Sequence, residues 1–377
     1  MNKILYIHHG TSQGGAPRSM SFLIKALDAK NYEPYVLCGN DAANIPLFEK
    51  AGAKVFFDKI IPFHGSTVSG MTLKLFGKSI LGILPTVRSV KKALKEIKPD
   101  IVHLNSTCLF WAARAVKKYN PNIPIICHVR EPLLPNVFGS ILRIGCKKYV
   151  DRFIAIEKFD AESLGDVKKP IDIIYNFVDF NTYNCDLKSS VLRSELNIQD
   201  DECIFLILAR LVSSNGVLEA AKAFASSNLK AHLVMVGDVE TDNSEYIQEV
   251  RKLAQENKNI HILGFRSDVP EIIASCDVMI CPFTQPHFAR AVIEAGAMKK
   301  PSIVSDIGGL EELVVDNNTG MFFNPQNFDT LIDKCWLLCE NRELVDKLGE
   351  GAYVFATENF NAELNAQKTI DIYEQLL

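Results

Sequence analysis

Short apolar segments alternate with amphipathic segments along almost the whole chain, and this alternation restricts the possible folds more than any other feature. The first apolar segment is KILYIHH, and SMSFLIKALDA after it carries apolar residues at helical spacing. The alternation continues through CIFLILARL to PSIVSD. Strands that alternate with helices form parallel sheets with helices on both faces. We therefore predict an α/β protein.

A polar, irregular stretch interrupts the alternation between Phe180 and Ser190 and reads as a linker. The chain has 377 residues, which is enough for two domains, each with its own core. We predict an N-terminal Rossmann-like domain over residues 1–180 and a C-terminal Rossmann-like domain over 181–360. The last segment, 361–377, is expected to form a helix that packs back on the first domain.

The two halves carry opposite charge. Residues 1–180 contain 25 Lys and Arg against 15 Asp and Glu, whereas the remainder contains 16 against 30. The basic half predicts an anionic partner, such as a membrane surface or a phosphorylated acceptor, although attraction between the domains would also explain the asymmetry. Residues 74–98 hold seven Lys or Arg and one Glu. They read either as a solvated basic helix face or as a contact with anionic lipid.

Several function classes find no support in the sequence. The ten cysteines form no CxxC pair and lack nearby histidine pairs, so they predict buried reduced thiols and neither a zinc site nor a disulfide framework. No DxD or paired acidic site indicates a metal. No span reaches 18 uncharged apolar residues, and the N-terminus reads as a core strand. We expect a cytoplasmic protein that can associate with the inner face of the membrane.

The stretch from Cys281 to Ala297 contains the strongest local signal for a ligand. A short strand opens there through a turn into a helix that begins near Ala289. The unpaired N–H groups and positive dipole of such a helix start favour a phosphate. Glu294 lies about one turn in, where a carboxylate can accept hydrogen bonds from vicinal hydroxyls such as those of a ribose. This pairing predicts a nucleotide.

The loop after the first strand contains Gly14 and Gly15 but matches neither GxGxxG nor the P-loop pattern. It can be a flexible loop whose backbone comes close to a ligand, or an ordinary strand-to-helix turn.

Several ordered motifs resemble those of one family. They are the GG loop, YNFVDF, ARLVSSNGV, GFRSDVPEIIASCDVMICPF, FARAVIEAGA and SDIGGLEELV. Together they cover most of the chain, and the second half matches more specifically. The chain is similar to the retaining glycosyltransferases of family 4. This resemblance implies the GT-B fold, in which two Rossmann-like doubly wound domains face each other across a cleft.

The resemblance implies roles for residues of the second half. Arg210 aligns with the arginine that binds the donor diphosphate, and Glu294 with the glutamate that holds the nucleotide ribose. The implied donor-binding residues are Phe288, Ala289 and Arg290 in the turn before the helix, Phe265 and Arg266 in GFRSDV, and Gly15 in the first domain. A surface ion pair remains the alternative for Arg210, and a solvated helix carboxylate the alternative for Glu294.

In the first half, His128 ends a strand at the place where the family often has a histidine near the transferred sugar. Its alternative is a histidine satisfied by backbone groups at a strand end. Arg130, Glu131 and Arg18 are candidate acceptor contacts, although Arg130 and Glu131 can equally form a local ion pair.

Two positions depart from the family pattern. Asn215 replaces a lysine that partners Arg210, and Pro286 replaces the first glutamate of an E-x7-E motif. Loss of a cation weakens the stabilisation of the leaving group, and proline cannot hydrogen-bond a sugar hydroxyl through its side chain or its missing N–H. Either donor recognition has been rebuilt, with Gln285, His287 or Arg290, or activity is weak or absent.

The resemblance implies a metal-independent hexosyltransferase that works with retention and needs no cofactor. It would move a sugar from a nucleotide-sugar, with UDP favoured over GDP, to a saccharide or lipid-linked acceptor in cell-surface polysaccharide synthesis. Nucleic acid is not expected as a partner. The alternatives are an inactive nucleotide-binding scaffold and another GT-B enzyme such as a UDP-sugar epimerase.

Overall fold

The structure, a computed structural model, describes residues 1–10, 15–39, 42–64, 72–238 and 244–377. Gly14 and the rest of the loop 11–14 therefore lie outside the described residues. The chain divides into two compact units, one formed by 1–176 with 362–377 and the other by 177–361. Each unit contains one parallel sheet. The predicted class, α/β with two doubly wound parallel sheets, is confirmed.

The sheet of the first unit has the strand order β3-β2-β1-β4-β5-β6-β7. Its strands are β1 (Asn2–His8), β2 (Tyr32–Gly39), β3 (Lys54–Asp58), β4 (Ile101–Leu104), β5 (Ile125–Val129), β6 (Arg152–Ala155) and β7 (Ile171–Ile173). Its helices before the second unit are α1 (Gly15–Ala26), α2 (Ile45–Lys50), α3 (Leu73–Ile97), α4 (Phe110–Tyr119), α5 (Val137–Tyr149) and α6 (Lys158–Ser163).

The sheet of the second unit has the order β10-β9-β8-β11-β12-β13. Its strands are β8 (Cys203–Leu208), β9 (Ala231–Val236), β10 (Ile260–Ile262), β11 (Val278–Cys281), β12 (Ser302–Ser305) and β13 (Gly320–Phe323). Its helices are α7 (Val191–Leu196), α8 (Val217–Ser226), α9 (Glu245–Glu256), α10 (Val269–Ser275), α11 (Arg290–Ala297), α12 (Asp329–Glu340) and α13 (Arg342–Asn359). The last helix, α14 (Ala362–Leu376), belongs to the first unit.

Strands of the first sheet are buried on both faces, as parallel strands covered by helices must be. In β1, Ile4 and Tyr6 pack in a core that also contains residues of α1 and α14, whereas Leu5 and Ile7 belong to the core on the opposite face. This two-sided burial explains why β1 reads as a continuous apolar run. The C-terminal helix contributes Tyr373, which is fully buried, to the first of these cores.

In each sheet, successive strands are added outward towards one edge and then, after a single reversal, towards the other edge. In the first unit this reversal point lies between β1 and β4, and in the second it lies between β8 and β11. Loops that leave the carboxyl ends of two such strands diverge, and the crevice between them is the usual ligand site of open α/β sheets. The topology therefore marks the loops after β1 and β4, and those after β8 and β11.

All ten cysteines are free thiols, eight of them buried and two, Cys185 and Cys339, half-buried. Among the described residues, no helix combines the length and the apolar character needed to cross a bilayer.

The loop after β8 packs tightly against the loop after β11. Gly216 has φ +60°, and a Cβ built on it would lie 1.8 Å from the carbonyl oxygen of Pro282. Thr284 reinforces the contact, because its N–H donates to the Ser214 carbonyl (3.0 Å) and its hydroxyl donates to the Ser213 carbonyl (2.9 Å). A side chain at position 216 would push the two loops apart.

We predict that Gly216→Ala destabilises the protein more than Gly264→Ala. Both glycines have positive φ, but a Cβ at Gly264 would meet no heavy atom within 4 Å. Gly264→Ala therefore carries only the backbone strain of about 1–2 kcal/mol, and Gly216→Ala adds a steric clash with backbone. Urea unfolding of both variants measures the difference. Equal losses of stability would contradict the close approach of the two loops.

Candidate active site

In the second unit, Arg210 and the turn before α11 lie at the carboxyl edge of the sheet, on either side of the reversal point. Arg210 follows β8, and its side chain is exposed. Among the described residues, it takes part in none of the ion pairs. The field of Arg210 contributes to lowering the pKa of His287, after burial of the imidazole. The guanidinium is therefore close to the turn that precedes α11.

The turn before α11 ends in a helix start that has no side-chain cap. Ala289 is the N-cap residue and is buried, and its methyl side chain accepts no hydrogen bond from the first-turn N–H groups. Thr72, Asn136 and Ser244 cap α3, α5 and α9, whereas α2, α6, α7, α8, α10 and α12 lack a side-chain cap as α11 does. An uncapped N-terminus leaves the positive end of the helix dipole available to an anion.

Glu294 lies one turn into α11 and is 6% exposed. Arg290 Nε donates to Glu294 Oε1 at 3.3 Å, and Arg290 Nη2 donates to the Phe177 carbonyl at 3.2 Å. Arg290 thus holds the Glu294 carboxylate in place and is itself held by Phe177, the first residue of the second unit. A buried carboxylate that is held in one orientation can accept hydrogen bonds from a pair of hydroxyls.

The turn itself is ordered by His287. Its ring stacks on Phe283 with centroids 4.0 Å apart, and Nδ1 lies 3.0 Å from the Gln285 carbonyl. Because a carbonyl only accepts, Nδ1 carries the proton. Phe288 and Pro286, in the same turn, are half-buried.

Asn215 has an internal role in this structure. It is 6% exposed, and its Nδ2 donates to the Arg210 carbonyl at 2.8 Å. The side chain therefore braces the loop that carries Arg210 and is not directed at a ligand.

Arg266 is bound on two sides by carboxylates. Its Nε and Nη2 donate to Asp268 at 2.8 and 2.6 Å, and its Nη1 donates to Glu195 at 2.8 Å. A phosphate would have to displace one of these acids to reach the guanidinium. Its neighbour Phe265 is 75% exposed. The structure thus places Arg266 in an ion-pair cluster, while Arg210 and Glu294 flank the uncapped helix start.

In the first unit, polar side chains occupy one face of the sheet at the reversal point. Arg130 Nε donates to Asn105 Oδ1 at 2.9 Å, and Asn105 Nδ2 lies 2.9 Å from His8 Nδ1. The Nε group only donates, so the atom of Asn105 that faces it must be the oxygen, and the amide nitrogen must face His8. His8 therefore accepts at Nδ1 and carries its proton on Nε2, which is buried and has no hydrogen-bond partner among the described residues.

A second row of polar groups lies deeper on the same face. His103 Nε2 is 2.7 Å from His128 Nδ1, and His103 Nδ1 is 2.6 Å from the hydroxyl of Tyr373. That hydroxyl is 3.0 Å from the hydroxyl of Tyr6. The predicted site residue His128 is thus held at Nδ1 by another histidine.

These imidazoles are neutral because they are buried. Burial, with a further contribution from Arg130, lowers the pKa of His8 and His103 to about 3 and lowers that of His128 well below its ordinary value. Neutral imidazoles can each donate one hydrogen bond and accept another.

The remaining predicted residues of the first unit lie on α1 and directly after β5. Gly15 is the first residue of α1, and Arg18 is exposed on the same helix. Arg130 also donates from Nη1 to Asn176 Oδ1 at 3.3 Å, and Glu131, next in sequence, is exposed.

Three residues of the array were missed from the sequence, namely His8, His103 and Asn105. Each lies in, or directly after, a strand that otherwise reads as apolar. The signal that could have revealed them is the spacing of polar residues two apart on one face, as in His103 and Asn105, repeated in neighbouring strands.

Comparison with known proteins gives two family matches. Residues 13–182 match the family described as Glycosyltransferase Family 4, and residues 189–355 match the one described as Glycosyl transferases group 1. The chain belongs to glycosyltransferase family 4.

Relatives of this family 4 chain include two bacterial enzymes. It is 27% identical over 249 residues to the N,N'-diacetylbacillosaminyl-diphospho-undecaprenol alpha-1,3-N-acetylgalactosaminyltransferase of Campylobacter jejuni. The match spans 64% of each chain, slightly less than two thirds of that relative. It is 24% identical over 318 residues to the UDP-Gal:alpha-D-GlcNAc-diphosphoundecaprenol alpha-1,3-galactosyltransferase of Escherichia coli, with 78% of this chain and 80% of the other covered.

Among solved structures, the fold is similar to that of HepE from Anabaena in complex with UDP. The TM-score is 0.82 at 22% identity, with 99% of this chain and 100% of that chain covered. This similarity shows that the family 4 chain has the GT-B fold.

Two positions differ from the family pattern that the resemblance implies, Asn215 and Pro286. At Asn215, where the resemblance implies a lysine, a buried amide ties the loop. Pro286 lies in the turn that His287 orders. In the part of the chain that the structure describes, no group of three or more His, Cys, Asp or Glu side chains is arranged to hold a metal ion.

We predict that stability falls as the pH is lowered below about 6.5. The folded chain keeps His8 and His103 neutral with a pKa of about 3, whereas the unfolded chain protonates both near 6.5, so the unfolded state binds more protons in this window. Each histidine contributes a slope of about 1.4 kcal/mol per pH unit. Urea unfolding between pH 6.5 and 5 measures it, before carboxylates titrate.

His103→Gln should make this dependence shallower by one histidine, because glutamine does not titrate. A slope identical to that of the wild type would contradict the assignment of His103 as a buried neutral group.

Proposed function

We propose that this chain transfers a hexosyl group from a UDP-sugar to a saccharide or lipid-linked acceptor, with retention and without a metal ion. The observation that carries the proposal is the meeting of two anion-binding features at one edge of the second sheet. These are the exposed guanidinium of Arg210 and the uncapped start of α11. The contact of Thr284 with Ser213 and Ser214 fixes the two loops that present them.

A nucleoside diphosphate would satisfy both features. A guanidinium forks onto two phosphate oxygens and keeps its charge at any physiological pH, and the helix start donates backbone N–H groups to the same anion. Glu294, oriented by Arg290, would accept hydrogen bonds from the ribose hydroxyls. The uracil base is proposed because HepE, which shares the fold, was solved with UDP.

In the proposed reaction the hydroxyl of the acceptor attacks the anomeric carbon of the sugar. The bond between that carbon and the diphosphate oxygen breaks, and the acceptor proton passes to the leaving phosphate oxygen. If attack and departure occur on the same face, the configuration is retained. Arg210 and the helix dipole would stabilise the negative charge that develops on the diphosphate, which is the task a metal ion performs in other enzymes.

The acceptor class is proposed from the relatives and from the first unit. Both relatives above are named for acceptors linked to diphospho-undecaprenol, and another is a capsular polysaccharide biosynthesis glycosyltransferase of Staphylococcus aureus. The array of His8, Asn105, Arg130 and His128 offers donors that suit sugar hydroxyls or a phosphate. We place the acceptor side of the function in the first unit and the donor side in the second.

We predict that Arg210→Ala weakens UDP binding by roughly tenfold to a hundredfold, because one charge-assisted contact to the diphosphate is lost. Arg342→Ala is the matched control. Arg342 pairs with Asp277 just before β11, and therefore at the amino edge of the sheet. Isothermal titration calorimetry measures both. Equal UDP affinities of the wild type and Arg210→Ala would contradict diphosphate binding at this site.

Glu294→Gln tests the ribose contact in the same assay. It should weaken UDP but leave 2′,3′-dideoxy-UDP unchanged, because that nucleotide lacks both hydroxyls. Turnover of UDP-sugars with an acceptor panel, in the presence of EDTA, then tests the enzyme itself. Tight UDP binding without any transfer or hydrolysis would favour the scaffold alternative, and NMR of the product gives the anomeric configuration.

A surface on α3 and α5 suggests contact with an anionic membrane. Exposed apolar side chains cluster on the outer faces of these helices, and Phe76 of α3 touches Phe138 of α5, with ring centroids 5.7 Å apart. The most exposed of these apolar residues are Leu73, Leu81, Leu84, Val137 and Ile144. Exposed basic residues lie on the same two helices: Lys74, Lys78, Arg88, Lys147 and Lys148.

An apolar face with a basic border is the composition of helices that lie at a lipid surface. Between residues 73 and 95, α3 contains no acidic residue, and α5 contains none at all. We propose that this surface rests on anionic lipid and brings the first unit to membrane-linked acceptors.

We predict that Leu81→Gln with Leu84→Gln weakens binding to vesicles of anionic phosphatidylglycerol by about tenfold or more, because two exposed leucines that would insert into the lipid are lost. The matched control is Val354→Gln with Leu364→Gln, two comparably exposed apolar residues on α13 and α14. Vesicle co-sedimentation measures binding. Unchanged sedimentation of the first variant, or equal binding to neutral vesicles, would contradict the proposed surface.

A further inference from the structure

Four buried polar side chains of the first unit form one continuous chain of hydrogen bonds. It runs from Tyr6 on β1 to Tyr373 on α14, then to His103 on β4 and to His128 on β5. The outermost member, His128, is 7% exposed, and the other three are buried almost completely. The two imidazole planes lie within 18° of each other, as expected when the in-plane lone pair of one ring receives the N–H of the other.

The chain has a direction because each link needs one donor and one acceptor. In the first arrangement Tyr6 donates to Tyr373, Tyr373 donates to His103 Nδ1, and His103 donates from Nε2 to His128 Nδ1. Every hydrogen between the four side chains then has an acceptor, and the remaining one, on His128, lies on the outermost and least buried of the four. His128, as a neutral ring that accepts at Nδ1, must carry its proton on Nε2.

The reverse arrangement leaves one hydrogen unplaced. If His128 donated from Nδ1, then His103 would donate to Tyr373, and Tyr373 would donate to Tyr6. The hydroxyl hydrogen of Tyr6 would then need a further acceptor, and among the described residues Tyr6 has a single hydrogen-bond partner, Tyr373. A buried donor without an acceptor is unfavourable by a margin that decides between two tautomers.

We propose that Tyr373 acts as a positioning residue that, through His103, holds His128 in the tautomer with its proton on Nε2. His128 then presents a fixed hydrogen-bond donor at the carboxyl edge of the sheet, suited to an oxygen of a sugar or a phosphate. The electrostatic environment agrees, because Arg130 beside the two histidines opposes protonation of either ring. Residues 270 positions apart along the chain, His103 and Tyr373, thus act together.

The catalytic consequence rests on the proposed function, but the tautomer does not. Because the donor is already fixed, no free energy is spent on changing the tautomer of His128 when the ligand binds. This is one form of preorganisation. If the protein proves to have another activity, the tautomer of His128 would still be set by the same hydrogen bonds.

Two-bond 1H–15N NMR correlation of the full-length protein with 15N-labelled histidine tests the proposal. The ring nitrogens of His128, assigned by comparison with His128→Gln, should show protonated Nε2 and unprotonated Nδ1 at pH 7. In Tyr373→Phe, His103 Nδ1 has no partner in either tautomer, so His128 should become a mixture of the two. Tyr6→Phe is the matched variant, since Tyr373 can still donate to His103, and there the Nε2 tautomer should persist.

A wild-type spectrum with the proton of His128 on Nδ1 overturns the proposal, even if neither Tyr373→Phe nor Tyr6→Phe folds. A Tyr373→Phe spectrum identical to wild type overturns the role of Tyr373. If the proposed transferase activity is present, Tyr373→Phe should lower kcat by about tenfold with the KM for the donor unchanged. Tyr32→Phe, which removes a tyrosine hydroxyl beside the chain but outside it, controls for simple loss of a buried hydroxyl.

Discussion

All strands of a parallel sheet end on the same side, and this single constraint decides where the chain can present its polar groups. In the second unit the loops after β8 and β11 leave that side in diverging directions, and they are held together by backbone contacts that only glycine at position 216 permits. Arg210 and α11 depend on this junction for their mutual placement. Asn215 contributes to the same junction, because its buried amide donates to the Arg210 carbonyl and so supports the loop from within.

The first unit solves a different physical problem, which is to keep polar groups in a core without leaving them unpaired. Its two rows of side chains do so by directed hydrogen bonds between neutral groups, so that charge is confined to Arg130 at the edge. The last member of each row is an imidazole with its proton on Nε2. The buried interior thereby determines what the edge of the sheet offers to a ligand.

The sequence predicted the parts of the structure that follow from local patterns. Alternating segments gave the two parallel sheets, and the strand, turn and helix around Glu294 were visible because apolar strands and helix starts have their own composition. The GT-B fold followed from ordered motifs. Interactions between distant residues could not be read in this way. The resemblance implied that Arg266 binds the donor. Its pairing with Glu195, 71 residues earlier in the sequence, depends on tertiary packing.

The polar side chains of the first unit also depend on interactions between residues that are distant in the sequence. His103 is a polar residue within an apolar strand, and its partner Tyr373 lies on a helix at the far end of the chain. A single sequence contains no local sign of such a pair. Only the spacing of polar residues two apart, repeated across β1, β4 and β5, could have indicated a functional face in advance.

The central claim is that the junction between β8 and β11 binds the nucleoside diphosphate, and a crystal structure of the full chain with UDP tests it most directly. The account predicts diphosphate oxygens within hydrogen-bond distance of the Arg210 guanidinium and the first turn of α11, with the ribose hydroxyls on Glu294. UDP bound with its diphosphate elsewhere, and with the start of α11 unoccupied, would contradict it.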